Sequence, residues 1–533
     1  MSGRERIYLF DTTLRDGAQT QGVDFSVEDK RLIATLLDEL GLDYVEGGWP
    51  GANPTDTAFF AAAPELGHAK FTAFGMTKRA GRSAENDPDL AVVLDSPAGA
   101  VCLVGKTWDF HVDVALQIGR EENVEAISDS IALVIKRGRE ALFDAEHFFD
   151  GFKANPEYAL QCVCAAHKAG ARWVVLCDTN GGSLPHEVEH IVREVTRHIP
   201  GSHLGIHVHN DTENAVANSL AAVLAGARHV QGTINGLGER CGNANLVSII
   251  PTLMLKPDFA VRFETGVSQA GLKKLSSISH TIDEILNRPP NRHAAYVGAS
   301  AFAHKGGLHV SAMAKNTKTY EHVEPESVGN RRRILVSDQA GKSNLIAELE
   351  TIGIIADPKD KRLNRLLEIV KQREFLGYSY DGASASFELL VRRLMGEIPE
   401  YFKVDSYRVG VERRNNGSGE MITVSEATAK IIIDGEIYRS YEEGNGPINA
   451  LDRALRKDLG RYSSYIDDLE LADYKVRILT GGTGAITRVM IESRDGRGER
   501  WFTVGVSENI VDASFEALLD SITYKLYRDG AKL

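Results

Sequence analysis

Arg6-Ile7-Tyr8-Leu9-Phe10-Asp11-Thr12-Thr13-Leu14-Arg15-Asp16-Gly17-Ala18-Gln19 is the stretch that decides how this chain folds. A strand-like run, 6–10, passes directly into a polar segment. There Asp11, Arg15 and Asp16 sit within six residues, and Gly17 breaks the chain. Charge is thereby set at the carboxyl end of a first strand, where α/β folds gather their chemistry. The same residue types also make a plain capped turn into the next helix. The rest of the chain separates the two readings.

Up to about residue 255, short apolar runs alternate with longer amphipathic ones. The patterns predict strands over 7–10, 44–46, 70–74, 99–104, 139–143, 173–177, 203–208 and 228–231. Helical patterns separate them, among them 26–40, 123–136, 156–169, 184–198 and 212–225, with Ser26 and Asp211 as entry caps. Eight strand–helix units in this length predict a (β/α)8 TIM barrel, with a doubly wound open sheet as the alternative. After residue 256 the rhythm fails. Helices are expected over 272–286 and 359–372, around the break Arg288-Pro289-Pro290-Asn291-Arg292. From 386 the texture becomes mixed: strands over 387–394, 401–413, 422–433, 475–479, 487–493 and 500–505, and helices over 447–459 and 511–525. Asn415-Asn416-Gly417-Ser418-Gly419 reads as a hairpin tip. The expected organisation is an α/β barrel over 1–270, a helical linker region over 271–385 and an α+β domain over 386–533.

The 533 residues are 43% hydrophobic and 25% charged, as in globular proteins with ample core. A net charge of −13 argues against nucleic-acid binding, although a local basic pocket remains compatible with it. The five cysteines are scattered without a C-x-x-C pair, so buried reduced thiols in a cytoplasmic protein are expected. No apolar signal segment is seen, and no run reaches the roughly 18 apolar residues of a membrane helix.

Strand seven ends in His207-Val208-His209-Asn210-Asp211. Residues two apart on a strand share a side, so both imidazoles can enter the barrel mouth. Alone, the pair could equally be two hydrogen-bonded histidines. Strand eight, however, leads into Asn235-Gly236-Leu237-Gly238-Glu239-Arg240-Cys241-Gly242-Asn243, and strands seven, eight and one are neighbours in a closed barrel. Asp16, His207, His209 and Asn243 are therefore expected to converge on one cation, a set that suits Zn²⁺, Mn²⁺, Mg²⁺ or Fe²⁺. Other strand ends add polar groups. Glu46 is read as orienting a base or stabilising a cation, or as a rim ion pair. Glu146-His147 closes strand five, and Thr179 either holds a carboxylate or caps a helix. Two motifs mislead. Ala340-Gly341-Lys342-Ser343 lacks the first glycine of a phosphate loop, because Val336 stands there. Gly236, Gly238 and Gly242 miss the dinucleotide spacing by one residue.

Taken together, 11–17 with Gln19, His207-x-His209-Asn210-Asp211 and Gly236-x-Gly238-Glu239-Arg240-x-Gly242-Asn243 resemble the metal-dependent Claisen-condensing barrels. That family includes isopropylmalate, homocitrate and citramalate synthases. His304-Lys305-Gly306-Gly307-Leu308-His309 with Thr319-Tyr320-Glu321 matches its linker. Glu443-Gly444-Asn445-Gly446-Pro447 and Val504-Gly505-Val506-Ser507 look like its C-terminal amino-acid-sensing domain. The segment 45–56, with Trp49, looks like the long citramalate synthase subgroup.

The resemblance implies condensation of acetyl-CoA with pyruvate in isoleucine biosynthesis, with Mn²⁺, Mg²⁺ or Zn²⁺ on Asp16, His207, His209 and Asn243. Arg15, Gln19, Glu146 and Thr179 would bind substrate, and Arg15, Glu46, His309 and Tyr320 would be catalytic. His309 and Tyr320 would be delivered from the partner subunit's linker in a homodimer, with Glu46 orienting the histidine. The C-terminal domain would bind isoleucine or serve only to dimerise. Trp49 at the rim would narrow the pocket to a methyl group. The rival expectations are an isopropylmalate or homocitrate synthase, an acyl-CoA lyase or aldolase, and a non-catalytic sensor on a dead barrel.

Overall fold

The computed structural model describes residues 3–334, 342–355, 357, 359–415, 417–479 and 485–533. The chain forms two compact units, Met1–Phe302 with His322–Arg332, and Ala303–Glu321 with Arg333–Leu533.

In the first unit eight parallel strands close into a barrel in chain order. They are β1 (Tyr8–Asp11), β2 (Tyr44–Gly48), β3 (Lys70–Met76), β4 (Ala100–Lys106), β5 (Glu140–Glu146), β6 (Trp173–Asp178), β7 (Leu204–Val208) and β8 (His229–Gly232). The closing pair sets Tyr8 against His229 and Phe10 against Gln231. The barrel prediction holds, and the open sheet is excluded. Between the strands lie α1 (Val27–Leu40), α2 (Pro54–Ala61), α3 (Pro88–Asp95), α4 (Arg120–Lys136), α5 (Pro156–Lys168), α6 (Pro185–Val195) and α7 (Ala215–Ala225); α8 (Leu246–Leu255) follows β8.

The two-residue side-chain period of a strand explains the layers. Leu9, Val45, Phe143, Val174, Ile206 and Val230 turn outward into the strand–helix core. Phe10, Tyr44, Leu142, Trp173 and Val175 share a second, internal cluster. Further along the same inward stripes come Glu46, Asp144, His207 and Gln231, all buried. The barrel interior is thus an aromatic plug at one end and a polar layer at the carboxyl end.

Ser26 caps α1 as expected: its hydroxyl accepts from the Asp29 amide and Asp29 returns a bond to the Ser26 amide, a complete capping box. Asp211 is not a cap. Helix α7 starts four residues later behind Asn214, because Asp211 is engaged by Arg240 at 2.8 Å. Helix α9 (Leu275–Ile285) buries Leu275, Ile278 and Ile282 in the core of the same unit.

In the second unit come α10 (Gly307–Met313), α11 (Lys342–Thr351), α12 (Lys361–Phe375) and α13 (Ser384–Met395). Helix α13 corrects the strand expected over 387–394. Its apolar run fits either period over so few residues, but Phe387, Leu390, Val391 and Leu394 recur at three- and four-residue spacing and face one core. The remainder holds two antiparallel sheets. The first comprises β9 (Lys403–Asn415), β10 (Met421–Ile433) and β11 (Glu436–Gly444); the second β12 (Glu470–Ile478), β13 (Thr487–Arg494) and β14 (Arg500–Ser507). Strand β11 was not expected, since its charged, largely exposed sequence lacks an apolar face. The hairpin tip joins β9 to β10 where Asn415 pairs with Met421; Asn416 lies outside the described residues. Helices α14 (Pro447–Lys457) and α15 (Ile510–Arg528) share one core with both sheets. Of the misleading phosphate-loop stretch, 340 and 341, and position 336 before them, lie outside the described residues.

All five cysteines are free thiols. Cys102, Cys162 and Cys177 are buried as expected, whereas Cys164 is half-buried and Cys241 is exposed on the glycine-rich loop. Among the described residues no helix is long and apolar enough to cross a membrane.

Candidate metal centre and active site

The polar layer opens into a cavity of about 590 Å³ at the carboxyl end of the barrel. Arg15, Asp16, Gln19, Glu146, Thr179, His207 and His209 all line it. Glu46 is fully buried beneath Arg15, and Asn243 is buried beside the histidines. His309 and Tyr320 belong to the second unit, where their exposed rings stack with centroids 4.0 Å apart.

At the centre, Asp16 Oδ2 lies 3.5 Å from His207 Nε2 and 3.8 Å from His209 Nε2, and the two Nε2 atoms are 3.4 Å apart. Ligand atoms around a cation at bonds of about 2.0–2.2 Å are separated by about 3.0–3.6 Å, so the three atoms already outline a coordination face. Asp16 Oδ1 and both side-chain polar atoms of Asn243 are buried without a hydrogen-bond partner. A bound divalent ion would satisfy such orphans. Burial lowers His207 to about 4 and lowers His209 as well, so both imidazoles are neutral, the form that binds metal. Burial opposes the charge of Asp16, but Arg15, joined by the two histidines once they are protonated at low pH, outweighs it and holds its carboxyl at about 2. The donor set fits a divalent metal.

The loop after β8 brings Asn243 here by folding back on strand β7, where His209 and Asn243 form an antiparallel bridge. Gly242, at φ +91°, allows it: a Cβ there would lie 2.0 Å from the Gly236 carbonyl oxygen. A Cβ on Gly238 would strike the Asn243 amide at 2.5 Å. Arg240 ties the loop down through Asp211 and the Thr179 carbonyl, at 2.8 and 2.6 Å.

Arg15 is held from three sides. Its Nε donates to Glu46 Oε2 at 2.8 Å, its Nη1 reaches Asp16 at 3.2 Å, and its guanidinium stacks 4.0 Å from the centre of the Phe74 ring. Burial works against its charge, yet Glu46, Asp16 and Asp144 keep it protonated. Thr12 Oγ1 donates to the same Glu46 oxygen at 2.5 Å. Glu46 is therefore an orienting partner of the arginine within the barrel. Trp49 packs edge-on against Phe74, with centroids 5.6 Å apart, on the cavity wall. Glu146 pairs with Lys106 at 2.5 Å, its register neighbour on β4. Thr179 Oγ1 accepts the His147 amide at 2.9 Å.

Sequence reasoning missed several supporting residues. Asp144 precedes Glu146 by two on β5, and Gln231 follows His229 by two on β8, so the strand period marks both as inward-facing. Lys30 occupies a core position of α1, in phase with buried Ile33, Ala34 and Leu37. Its Nζ donates to the Leu14 and Gly47 carbonyls at 2.9 and 3.0 Å and pairs with Asp56.

Residues 6–282 match the HMGL-like family, residues 296–374 the homocitrate synthase post-HMGL domain-like family, and residues 381–526 the LeuA allosteric (dimerisation) domain. Over 529 residues the chain is 51% identical to the (R)-citramalate synthase of Aquifex aeolicus, covering 98% of each chain. The chain belongs to the HMGL-like family, in its (R)-citramalate synthase branch. Within this branch it is also similar to the (R)-citramalate synthase of Geobacter sulfurreducens, at 50% identity over 98% of each chain. The Synechocystis (R)-citramalate synthase matches at 47%, over 98% of this chain and 96% of the other. The HMGL-like match spans all eight barrel strands and the candidate metal centre, and the LeuA match spans both C-terminal sheets.

Proposed function

We propose that this chain is an (R)-citramalate synthase. It joins the methyl carbon of acetyl-CoA to the keto carbon of pyruvate and hydrolyses the thioester with one water, releasing (R)-citramalate and CoA. The observation that carries this reading is full-length similarity to five proteins of that name at 43–51% identity.

The roles follow from the residues. Asp16, His207, His209 and Asn243 would hold a divalent cation, Mn²⁺, Mg²⁺ or Zn²⁺, which supplies Lewis acidity to the keto acid when bound. Arg15, fixed by Glu46, places a permanent positive charge where the carbonyl oxygen becomes an alkoxide. Gln19, Glu146 and Thr179 hold the keto acid, and Thr179 offers its hydroxyl at the cavity wall. The methyl proton goes to the imidazole of His309 of the partner subunit, whose linker carries it with Tyr320 of the partner subunit, and Glu46 orients that histidine. Trp49 and Phe74 form an aromatic wall that favours a methyl group over larger keto-acid side chains.

In this reading, residues 1–270 form the catalytic part, 271–385 the linker and 386–533 a dimerising domain that binds isoleucine. The enzyme works in the cytoplasm as a homodimer on the route to isoleucine. Release of free CoA thiol from acetyl-CoA, with Mn²⁺ or Mg²⁺ and a panel of 2-oxo acids, tests the proposal. Activity with pyruvate far above 2-oxoisovalerate is expected. Preference for a larger keto acid would overturn the substrate assignment, and no thiol release with any acid would overturn the activity. Isoleucine should lower the rate or shift the melting temperature; neither change would remove the sensing role.

A further inference from the structure

We propose that Asp144 and Gln231 are positioning residues that select the His207 tautomer able to bind a metal through Nε2. The inference rests on the metal reading of Asp16, His207, His209 and Asn243.

His207 Nδ1 lies 2.9 Å from Gln231 Oε1, and Gln231 Nε2 donates to Asp144 Oδ1 at 3.0 Å. All three side chains are buried, Gln231 completely, so each polar atom must be matched within the barrel. A neutral imidazole has one donor nitrogen and one acceptor, and an amide has a donor end and an acceptor end. An ionised carboxylate can only accept. Asp144 therefore forces the amide to turn its NH₂ toward β5 and its oxygen toward His207. That oxygen then requires a proton on Nδ1, which leaves the Nε2 lone pair facing Asp16 and His209. Three elements, β5, β8 and β7, act in series. At pH 8.0, above the value of about 7 to which burial raises the Asp144 carboxyl, the carboxylate form dominates.

The relay makes a specific prediction about exchanged partners. Gln231→Leu deletes both bonds. Asp144→Asn leaves an amide facing an amide, so Gln231 can present either end to His207. The double variant Asp144→Asn/Gln231→Glu restores the order. The new amide on β5 donates its NH₂ to the new carboxylate on β8, whose other oxygen again accepts from Nδ1. A residue that only filled space would not be rescued by moving the charge one position along the relay.

The readout is Mn²⁺ affinity of the full-length protein at pH 8.0, from the electron paramagnetic resonance signal of free Mn²⁺, with melting temperatures alongside. Loss of an outer-shell partner of a histidine ligand weakens metal binding about 10- to 100-fold, which is expected for Gln231→Leu. Asp144→Asn should weaken binding by a smaller factor, and the double variant should return to within about 3-fold of the unaltered protein, well short of the 10-fold lower end of that range. Binding by Asp144→Asn equal to the unaltered protein, or no rescue by a folded double variant, overturns the relay. This holds even if Gln231→Leu fails to fold. The unaltered protein and His207→Ala separate the two layers of argument. If the unaltered protein takes up no Mn²⁺, the metal reading itself fails. If it binds tightly and His207→Ala does not, while the relay variants bind normally, only the relay fails.

Discussion

Replacing Lys30 with methionine is the sharpest test of how the barrel supports its site. The Lys30 and Asp56 side chains are only 4% and 9% exposed, and Lys30 also donates to the Leu14 and Gly47 carbonyls. Asp56 in turn accepts the Trp49 amide at 3.0 Å and the Asn53 side chain at 3.0 Å. One cation thus joins the loop carrying Arg15 and Asp16 to the end of strand β2, which carries Glu46 and leads into Trp49. Methionine keeps the length and apolar bulk but strands a buried carboxylate and two carbonyls. Removing one partner of a buried ion pair costs about 3–5 kcal/mol. Against a folding margin of about 5–15 kcal/mol, that is a large fraction of the stability. Chemical denaturation followed by tryptophan fluorescence should show this loss in the barrel transition. The KM for the keto acid should rise, because Trp49 and Arg15 lose their shared anchor. Lys30→Met/Asp56→Asn removes the stranded charge while keeping an acceptor for Trp49, and should recover about 2 kcal/mol or more. A single-variant cost below about 1 kcal/mol, the range of exposed pairs, would refute the reasoning.

Other outcomes follow from the same geometry. Trp49→Ala should erode discrimination between pyruvate and 2-oxobutanoate by about 10- to 200-fold, the worth of one methylene in a fitted pocket, read as the ratio of kcat/KM values. Unchanged discrimination would remove Trp49 from the specificity argument. His309→Ala should lower turnover by about 10²- to 10⁴-fold, as for loss of a general base, while Mn²⁺ affinity stays the same. Near-normal turnover would exclude His309 as the base. Asp11 is fully buried, and burial raises its carboxyl from 3.8 to about 7. The folded state therefore holds this proton more tightly than the unfolded chain. Stability is lost as pH rises from about 4 to 7 and stays lost above. Asp11→Asn should flatten the melting-temperature profile across that interval; an unaltered profile would show that other groups set it.

Much of this protein is legible in the sequence because its strongest signals are local. Eight alternations of apolar run and amphipathic helix specify a barrel, and strand position alone sends Asp16, His207 and His209 to one end of it. The Ser26 capping box is local in the same sense, since all its partners lie within four residues. Where local signals are ambiguous, tertiary contacts decide. The apolar run 387–394 satisfies both periods over so short a length, and only packing against Leu363, Leu366 and Val370 makes it a helix. Asp211 has the chemistry of a cap, but an arginine 29 positions away claims it.

What the sequence by itself determined is the barrel, the clustering of Asp16, His207 and His209 at its mouth and the family. These follow from strand periodicity and from motifs contained within single loops. Only the tertiary structure decided which buried groups hold the site's side chains in place: Gln231 between His207 and Asp144, Glu46 behind Arg15, and Lys30 between the Arg15 loop and the end of β2. Each of these contacts joins residues 16 to 87 positions apart. No local pattern encodes them, because a buried donor takes whichever acceptor the closed barrel brings within about 3 Å.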